Sequence, residues 1–425
     1  ITTLLLLENS STGGISLRGF WLRRAKRLLP ALFFVLVWVA WYARFVADPA
    51  ALDGLRRDGL ATILYIANWN FIVSGESYFE QFVSPSPLRH MWSLAIEEQW
   101  YLVWPVVVSV ALRWKSFSRP TWVSASLLVA AGSAVLMAVF AAGRIDTSRA
   151  YYGTDSRAQA LLIGCCLAFV LTRSPSALFR RSAPALGFFG VAGFLAFVFL
   201  VDDTDRWMYR GGFLVVAVVG AALVASATID TPGNLVRRAL ALPPLPLIGR
   251  MSYGLYLWHW PIYVYLTADR TGLDGPALFG LRVAVTVAVS TASYVLIEQP
   301  LRRSELGWNR LGPAALVAGG VAAVLLVMGT TDVPETFDRS DSVAADGATP
   351  DAAPSEVFLV GDSVYVLLLT SLEDQSFEGM NVRSGAVLGC GVLPPVGNVP
   401  DECRNRFGLW ADRSDRDSSR QQART

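Results

Sequence analysis

Pro87-Leu-Arg-His-Met-Trp-Ser-Leu-Ala-Ile-Glu-Glu-Gln-Trp-Tyr101 opens an apolar segment that continues to about Leu112. It places a histidine, a serine and two carboxylates at the mouth of that segment, in a chain with 2 histidines among 425 residues. Each ionisable residue inside a bilayer costs roughly 2.5–3.5 kcal/mol on insertion scales. Such a cluster indicates chemistry or transport at a membrane boundary.

The composition is that of a membrane protein. The chain is 53% hydrophobic and 16% charged, with a mean hydropathy of +0.43, whereas soluble chains carry about 25% charged residues. Repeated long apolar runs predict an all-α polytopic membrane domain of about ten spans. The predicted spans are 28–46, 94–112, 122–142, 158–172, 184–201, 211–228, 247–267, 278–297 and 312–330, preceded by the tail of another at 1–7.

The positions of the basic residues predict the orientation, because arginine and lysine stay in the cytoplasm. They cluster before 28–46, after 94–112, after 158–172, before 247–267 and after 278–297. All these clusters face one side only if the shorter apolar stretch 59–73 does not cross. We therefore predict that 59–73 is re-entrant or interfacial and that His90 lies near the outer face. Because the arginines lie in short clusters between spans, we expect membrane lipid as a partner and no nucleic acid.

The sequence predicts that the chain is truncated at both ends. Ile1–Leu7 resembles the end of a span that begins upstream. The membrane domain is predicted over 1–330 and a flexible extracytoplasmic linker over 331–356. Residues 357–425 are predicted to begin an incomplete α/β domain, because Val357–Val360 forms a strand-like run. Cys390 and Cys403 in that region are either a disulfide or two free thiols.

The segment Phe20–Pro30 contains Arg24 and Arg27, whose spacing puts them on one face of a helix. Arginine guanidinium groups bind phosphate in a bidentate manner, so this face is a candidate site for a nucleotide or coenzyme phosphate. The alternative is ordinary anchoring to anionic lipid.

The spacing of His90, Ser93 and Glu97 places them on one helical stripe with Tyr101, while Glu98 points about 100° away. A histidine can move a proton and a carboxylate can orient it. The alternative is a structural cluster, in which Glu97 or Glu98 pairs with an arginine such as Arg89 or Arg157.

A second histidine, His259, precedes Pro261 inside a predicted span. The proline is expected to kink the helix, free backbone groups and open space around His259. The alternative is an aromatic interface belt with a hydrogen-bonded histidine. Asp155 and Arg157 begin another span and are expected either to form an ion pair or to contact a polar acceptor.

Gly361-Asp362-Ser363 follows the predicted strand and could expose a serine nucleophile. Such a serine needs a base, and no histidine follows Ser363. We therefore expect that site to be incomplete in this chain.

Taken together, five segments resemble the acyltransferase-3 family of membrane O-acyltransferases, in that family's order over residues 1 to about 330. They are Phe20–Pro30, His90–Tyr101, Thr154–Gly164, Ser252–Ile262 and Ile297–Arg303. The Gly361–Ser363 turn resembles the SGNH hydrolase-like domain that follows the membrane domain in one branch of the family.

The resemblance implies transfer of an acyl group, usually acetyl, from cytoplasmic acyl-coenzyme A to a hydroxyl of a cell-envelope glycan, at the bacterial plasma membrane. Arg24 and Arg27 would handle the donor. His90, Glu97, Glu98 and Ser363 would be catalytic, with Ser93, Arg157 and His259 near the acceptor and no metal involved.

Two departures limit this expectation. The family's first-span histidine has no counterpart here, and the later blocks of the SGNH domain are missing, so the chain as written is expected to be inactive. The competing hypotheses are a proton-coupled transporter using Glu97, Glu98 and His259 as a relay, and an acyl carrier that serves a separate transferase. Many transporters show internal repeats that relate the two halves of the chain, and this sequence shows no such repeat.

Overall fold

The structure is a computed structural model that describes residues 1–75, 85–113, 118–144, 146–172, 176–202, 205–331, 356–359 and 381–384. The helices are α1 Thr2–Thr12, α2 Leu17–Phe45, α3 Leu52–Ile63, α4 Ala67–Ser74, α5 Met91–Arg113, α6 Arg119–Ala141, α7 Ser148–Tyr152, α8 Thr154–Leu171, α9 Ala177–Leu200, α10 Phe213–Thr228, α11 Leu235–Leu240, α12 Leu245–Tyr265, α13 Ala268–Thr271, α14 Gly275–Ser293, α15 Gln299–Arg303 and α16 Trp308–Thr331. A 3₁₀ turn spans Pro49–Ala51, and π-type turns span Met208–Gly212 and Tyr294–Glu298.

The helices form a multi-pass membrane domain. By length and composition, seven helical segments of the described residues can cross a membrane. They are Leu17–Phe45, Arg119–Ala141, Thr154–Leu171, Ala177–Leu200, Met208–Thr228, Gly275–Arg303 and Trp308–Thr331. Helices α5 and α12 are 23 and 21 residues long but carry the polar residues of the site and are not among the seven.

Helix α2 is longer than a bilayer requires. Its 29 residues extend for about 43 Å at 1.5 Å per residue, against a hydrocarbon core of about 30 Å. Ser16 caps its first turn by accepting the Gly19 N–H at 3.1 Å. The basic first third of α2, with Arg24 and Arg27, therefore has room to extend beyond the apolar region.

The stretch 59–73, predicted to be re-entrant, is not one continuous helix. Helix α3 ends at Ile63, Tyr65 adopts a positive φ of 56°, and α4 begins at Ala67. These helices have 12 and 8 residues, about 18 and 12 Å, so neither is long enough to cross a bilayer. The broken geometry agrees with the prediction that this stretch does not make a full crossing.

The largest core lies where α2, α5, α12 and α16 meet α3 and α4. Its fully buried side chains include Leu32 and Val35 from α2, Leu257 from α12 and Leu326 from α16. Helix α16 lies very close to α2, because a Cβ atom added at Gly329 would be 2.6 Å from the Ala40 carbonyl oxygen. Arg56 of α3 donates to the Thr330 carbonyl at 2.6 Å and so holds the end of α16.

The chain divides into two compact units, Ile1–Pro334 and Glu335–Thr425. In the second unit, strand β1 (Glu356–Leu359) pairs in parallel with β2 (Asn381–Ser384), Glu356 opposite Asn381. A parallel pair requires a crossover connection, as in α/β folds. The predicted linker, except for its two ends, lies outside the described residues, as do Ser363, Cys390 and Cys403.

Candidate active site

A cavity of about 840 Å³ contains both histidines of the chain in its wall. Helices α5, α7, α8, α12 and α14 and the turn before α5 contribute its lining. The lining residues, which define the histidine cavity, are Arg89, His90, Trp92, Ser93, Tyr151, Arg157, Leu255, Tyr256, His259, Trp260, Tyr263, Val283, Thr286 and Val287. The structure thus brings together four of the predicted site residues, namely His90, Ser93, Arg157 and His259.

The two imidazole rings are neighbours. His90 lies in the turn immediately before α5, and His259 lies on α12. Their ring centroids are 5.2 Å apart at an interplanar angle of 78°. Tyr256 lies beside both, with its ring centroid 5.4 Å from that of His90 and 5.3 Å from that of His259.

A backbone carbonyl orients His90. Its Nε2 lies 3.2 Å from the Leu257 oxygen, and since a carbonyl only accepts, Nε2 must carry the proton. The other ring nitrogen, Nδ1, is buried and has no hydrogen-bond partner among the described residues. Burial lowers the pKa of His90 to about 3, with a smaller contribution from His259 in the same direction, partly opposed by the bond to Leu257.

A carbonyl also fixes His259. Its Nδ1 lies 2.6 Å from the Tyr256 oxygen, so Nδ1 donates and Nε2 keeps its lone pair in the neutral ring. A carbonyl of α12 orients His90 rather than a carboxylate, because the glutamates of α5 lie further along their helix.

Tyr256 connects the two walls of the histidine cavity. Its hydroxyl donates to the His90 carbonyl at 2.7 Å and shares a short hydrogen bond with the Ser93 hydroxyl. Tyr256 is not among the site residues predicted from the sequence. The available signal was its spacing, since Tyr256 lies three residues before His259 and so shares its helical face.

Arg157 presents its guanidinium to aromatic rings. It lies 4.5 Å from the ring centroid of Phe213 and 4.7 Å from that of Tyr151. Of the two alternatives for Asp155 and Arg157, the structure does not show the ion pair between them, because Asp155 instead makes a two-pronged ion pair with Arg149 at 2.8 and 3.0 Å. Arg157 therefore contributes positive charge to the cavity wall.

A second polar group, the arginine cluster, comprises Arg24, Arg27, Glu97 and Tyr101. The Arg24 guanidinium lies 4.0 Å from the ring centroid of Tyr101, whose hydroxyl donates to Glu97 at 3.3 Å. Within the described residues, no carboxylate forms an ion pair with Arg24 or Arg27. By contrast, neighbouring Arg23 pairs with Glu8 at 3.1 Å.

Glu98 lies near this cluster. The charges of Arg24 and Arg27 act on its carboxylate, and its buried Oε1 has no hydrogen-bond partner among the described residues. None of the ion pairs in the described part of the chain joins Glu97 or Glu98 to Arg89 or Arg157. The structural pairing considered for those carboxylates is therefore not what the structure shows.

A buried polar network links the α3–α4 break to α5 and α8. Asn68 is fully buried and donates to Thr154 at 2.9 Å and to the Tyr152 carbonyl at 3.1 Å. Gln99 donates to Asn68 at 3.0 Å and to the Tyr65 carbonyl at 2.8 Å, and it accepts from Thr154 at 2.7 Å. The network satisfies backbone groups that the break exposes and fixes α5 between the two sites.

Comparison with known proteins gives the same family as the motifs. The model of an acyltransferase domain, family 3, matches residues 1–297. Peptidoglycan O-acetyltransferase OatA of Listeria monocytogenes is 38% identical over 313 residues, which cover 72% of this chain and 49% of that protein. O-acetyltransferase OatA of Staphylococcus aureus is 36% identical over 309 residues, which cover 71% of this chain and 50% of that protein.

No solved structure matches the chain. The chain spans about half the length of these curated relatives. The family match covers more than half of the 425 residues and includes every residue of the histidine cavity and of the arginine cluster. The chain belongs to the acyltransferase-3 family.

Proposed function

We propose that this chain is the membrane part of an O-acetyltransferase that moves an acetyl group from cytoplasmic acyl-coenzyme A to a hydroxyl of a cell-wall carbohydrate outside the bacterial plasma membrane. The main observation in support of this proposal is that α5 contributes residues to two different polar sites, the arginine cluster and the histidine cavity. The relatives named for peptidoglycan O-acetylation support the acetyl group and the glycan acceptor.

The arginine cluster is the proposed donor site. Arg24 and Arg27 have guanidinium groups that no carboxylate of the described residues engages in an ion pair, which leaves donors for the phosphates of coenzyme A. Their position in the basic first third of α2 agrees with a cytoplasmic location. Glu97 and Glu98 lie beside them and are the proposed groups for handling the proton of the departing thiol.

The histidine cavity is the proposed acceptor site. His90 Nδ1 and His259 Nε2 are unprotonated in the tautomers fixed by the α12 carbonyls, so both accept hydrogen bonds. A glycan hydroxyl supplies the matching donor. Ser93 and Arg157 line the same cavity and are the proposed polar contacts to the rest of the sugar.

The two sites are close enough for one transfer reaction. From His90 to Tyr101 the distance along α5 is about 16 Å, half the thickness of the hydrocarbon core. The thiol-bearing arm of coenzyme A would extend along α5 from the arginines. Overall, the carbonyl–sulfur bond breaks, a carbonyl–oxygen bond forms, and the hydroxyl proton, taken up by an imidazole, ends on the thiolate.

We place residues 332–425 outside the membrane in this proposal. Ser363, the proposed nucleophile of an SGNH-like domain, then lies on the same side of the membrane as the glycan acceptor. The parallel strand pair β1–β2 supports an α/β fold there.

The proposal is tested by mass spectrometry of cell-wall glycans from strains with and without the full-length gene. We expect O-acetyl groups to disappear on deletion and to return with the wild-type gene. If the glycans are unchanged by deletion, the acetyltransferase proposal fails. If acetyl-coenzyme A is hydrolysed or bound but no glycan is modified, the chain serves a different acceptor.

The donor site is tested by the double variant Arg24→Ala with Arg27→Ala. We expect O-acetylation to be lost at an unchanged amount of protein in the membrane. The matched control is Arg23→Ala on the same turn of α2, because Arg23 is 62% exposed and pairs with Glu8. Normal O-acetylation in the double variant would leave the arginines as topology anchors only.

A further inference from the structure

Pro261 removes one helical hydrogen bond, and the carbonyl left without its helical donor is the one that His90 contacts. In an α-helix the N–H of residue i donates to the carbonyl of residue i−4, and proline has no N–H. Pro261 lies inside α12, so the carbonyl without a helical donor is that of Leu257. That carbonyl is the one that accepts from His90 Nε2 at 3.2 Å.

We infer that Pro261 is a positioning residue, which leaves the Leu257 carbonyl open to His90 and thereby holds His90 in the Nε2–H tautomer with Nδ1 unprotonated. The unprotonated Nδ1 then accepts a hydrogen bond from the hydroxyl of the acceptor. Only this second step rests on the proposed function. The tautomer itself is a property of the chain alone.

Three observations support the inference. First, both Pro261 and Leu257 are buried, so water does not compete for the freed carbonyl. Second, His90 is 7% exposed and its Nδ1 has no hydrogen-bond partner among the described residues, as expected for a lone pair reserved for a ligand. Third, a carbonyl without a hydrogen bond inside a bilayer costs free energy, and the bond from His90 Nε2 removes that cost for Leu257.

A second proline in the described helices also leaves a carbonyl that a side chain of another helix uses. Pro105 lies inside α5 and leaves the Tyr101 carbonyl without a helical donor. The indole N–H of Trp21 on α2 donates to that carbonyl at 3.0 Å. Prolines in this bundle therefore create acceptors that side chains of other elements use, and Pro105 offers a matched control.

The test is ¹⁵N NMR of the 425-residue chain in lipid nanodiscs with ¹⁵N-labelled histidine. With only two histidines in the chain, the His259→Asn variant assigns the signals of His90. In the wild type we expect His90 with Nε2 protonated and Nδ1 unprotonated. In Pro261→Ala the new Ala N–H competes for the Leu257 carbonyl, and we expect the His90 signals to shift towards a mixture of tautomers.

Pro105→Ala is expected to leave the His90 signals unchanged, although it alters the contact with Trp21. In the full-length enzyme we expect Pro261→Ala to lower kcat at least tenfold with a smaller change in KM. An Nδ1–H tautomer in the wild type, or identical His90 signals in Pro261→Ala, would overturn the inference. Absence of any acetyl transfer by the wild type would reject the proposed function and leave the tautomer result intact.

A second pair of variants serves if Pro261→Ala fails to fold. His90→Gln can place an amide N–H where Nε2 was and keep the bond to the Leu257 carbonyl, whereas His90→Asn is too short to do so. We expect His90→Gln to keep the wild-type melting temperature and His90→Asn to lower it. Equal melting temperatures for the two variants would contradict a structural bond between His90 and Leu257.

Discussion

His90 and His259 lie edge to face with their ring centroids 5.2 Å apart, and each is anchored to a carbonyl of the same helix, α12. His90 is held at Leu257 and His259 at Tyr256, so one turn of α12 orients both rings. The ring nitrogens that remain unprotonated are His90 Nδ1 and His259 Nε2. This arrangement gives the histidine cavity two hydrogen-bond acceptors, which are complemented by a ligand with O–H or N–H donors.

Replacing either acceptor nitrogen is expected to reduce O-acetylation by about 10²- to 10⁴-fold, the usual contribution of a general base. His90→Gln retains a donor for the Leu257 carbonyl, and His259→Asn retains a donor for the Tyr256 carbonyl. Both variants are therefore expected to fold. The measurement is glycan O-acetyl content in cells that carry the full-length gene, at matched protein level in the membrane, and activity within twofold of wild type would exclude a catalytic role.

Tyr256→Phe is expected to lower activity roughly fivefold, because one hydrogen bond of about 1 kcal/mol to the His90 carbonyl is lost. The Ser93 hydroxyl also loses its bond to Tyr256 and keeps only the longer one to the His90 carbonyl at 3.4 Å. The control is Tyr265→Phe on the same helix. The ring centroid of Tyr265 lies 6.0 Å from that of Trp38, and Tyr265 is not part of the histidine cavity. An equal loss in both variants would indicate a general effect on α12.

The stability of the membrane domain is expected to fall as the pH is lowered from about 6.5 towards 3. Burial lowers the pKa of His90 to about 3 in the folded state, against 6.5 for an ordinary histidine. In that window the unfolded chain binds a proton at His90 and the folded chain does not, so folding becomes less favourable as the pH falls. The neighbouring His259 opposes protonation of His90 in the same direction as burial, and Arg89 and Arg157 lie in the same cavity wall.

The measurement is the melting temperature in nanodiscs at pH 7 and pH 5. His90→Gln has no titrating group at this position, so its melting temperature is expected to fall less than that of the wild type over the same interval. A parallel decline in the two proteins would show that other groups carry the pH dependence.

Asn68→Ala is expected to destabilise the fold by about 1–3 kcal/mol, because it leaves buried groups without hydrogen-bond partners. Asn68 is fully buried and contacts Thr154, Gln99 and the Tyr152 carbonyl. The control is Asn309→Ala, which removes an exposed bond to Arg18 and is expected to change stability by less than about 0.5 kcal/mol. The measurement is the free energy of unfolding of each variant, from chemical or thermal unfolding in nanodiscs.

Apolar periodicity and length predicted the helices well, because burial in lipid demands long apolar helices. Each predicted span overlaps a helix of the structure, and the short stretch 59–73 is indeed broken between α3 and α4. Local spacing also predicted that Arg24 and Arg27 share a face. These features depend on neighbours within one helix, which the sequence contains directly.

Contacts between helices could be predicted from the sequence much less well. Asp155 pairs with Arg149, across the short turn between α7 and α8, and not with its near neighbour Arg157. The approach of His90 to Leu257 depends on how α12 packs beside α5, which no local pattern encodes. Pro261 gave the one usable signal, because a proline in a span must leave a carbonyl for some other donor.

Gly329→Ala is expected to destabilise the membrane domain by about 1–3 kcal/mol through overpacking. A Cβ atom at Gly329 would lie 2.6 Å from the Ala40 carbonyl oxygen, and the backbone of α2 is a rigid neighbour. The matched control is Gly320→Ala on the same helix, where a Cβ meets no atom within 4 Å. There the better helix propensity of alanine is expected to preserve or raise the melting temperature. If Gly329→Ala melts at the wild-type temperature, α16 does not dock on α2 as closely as these distances require.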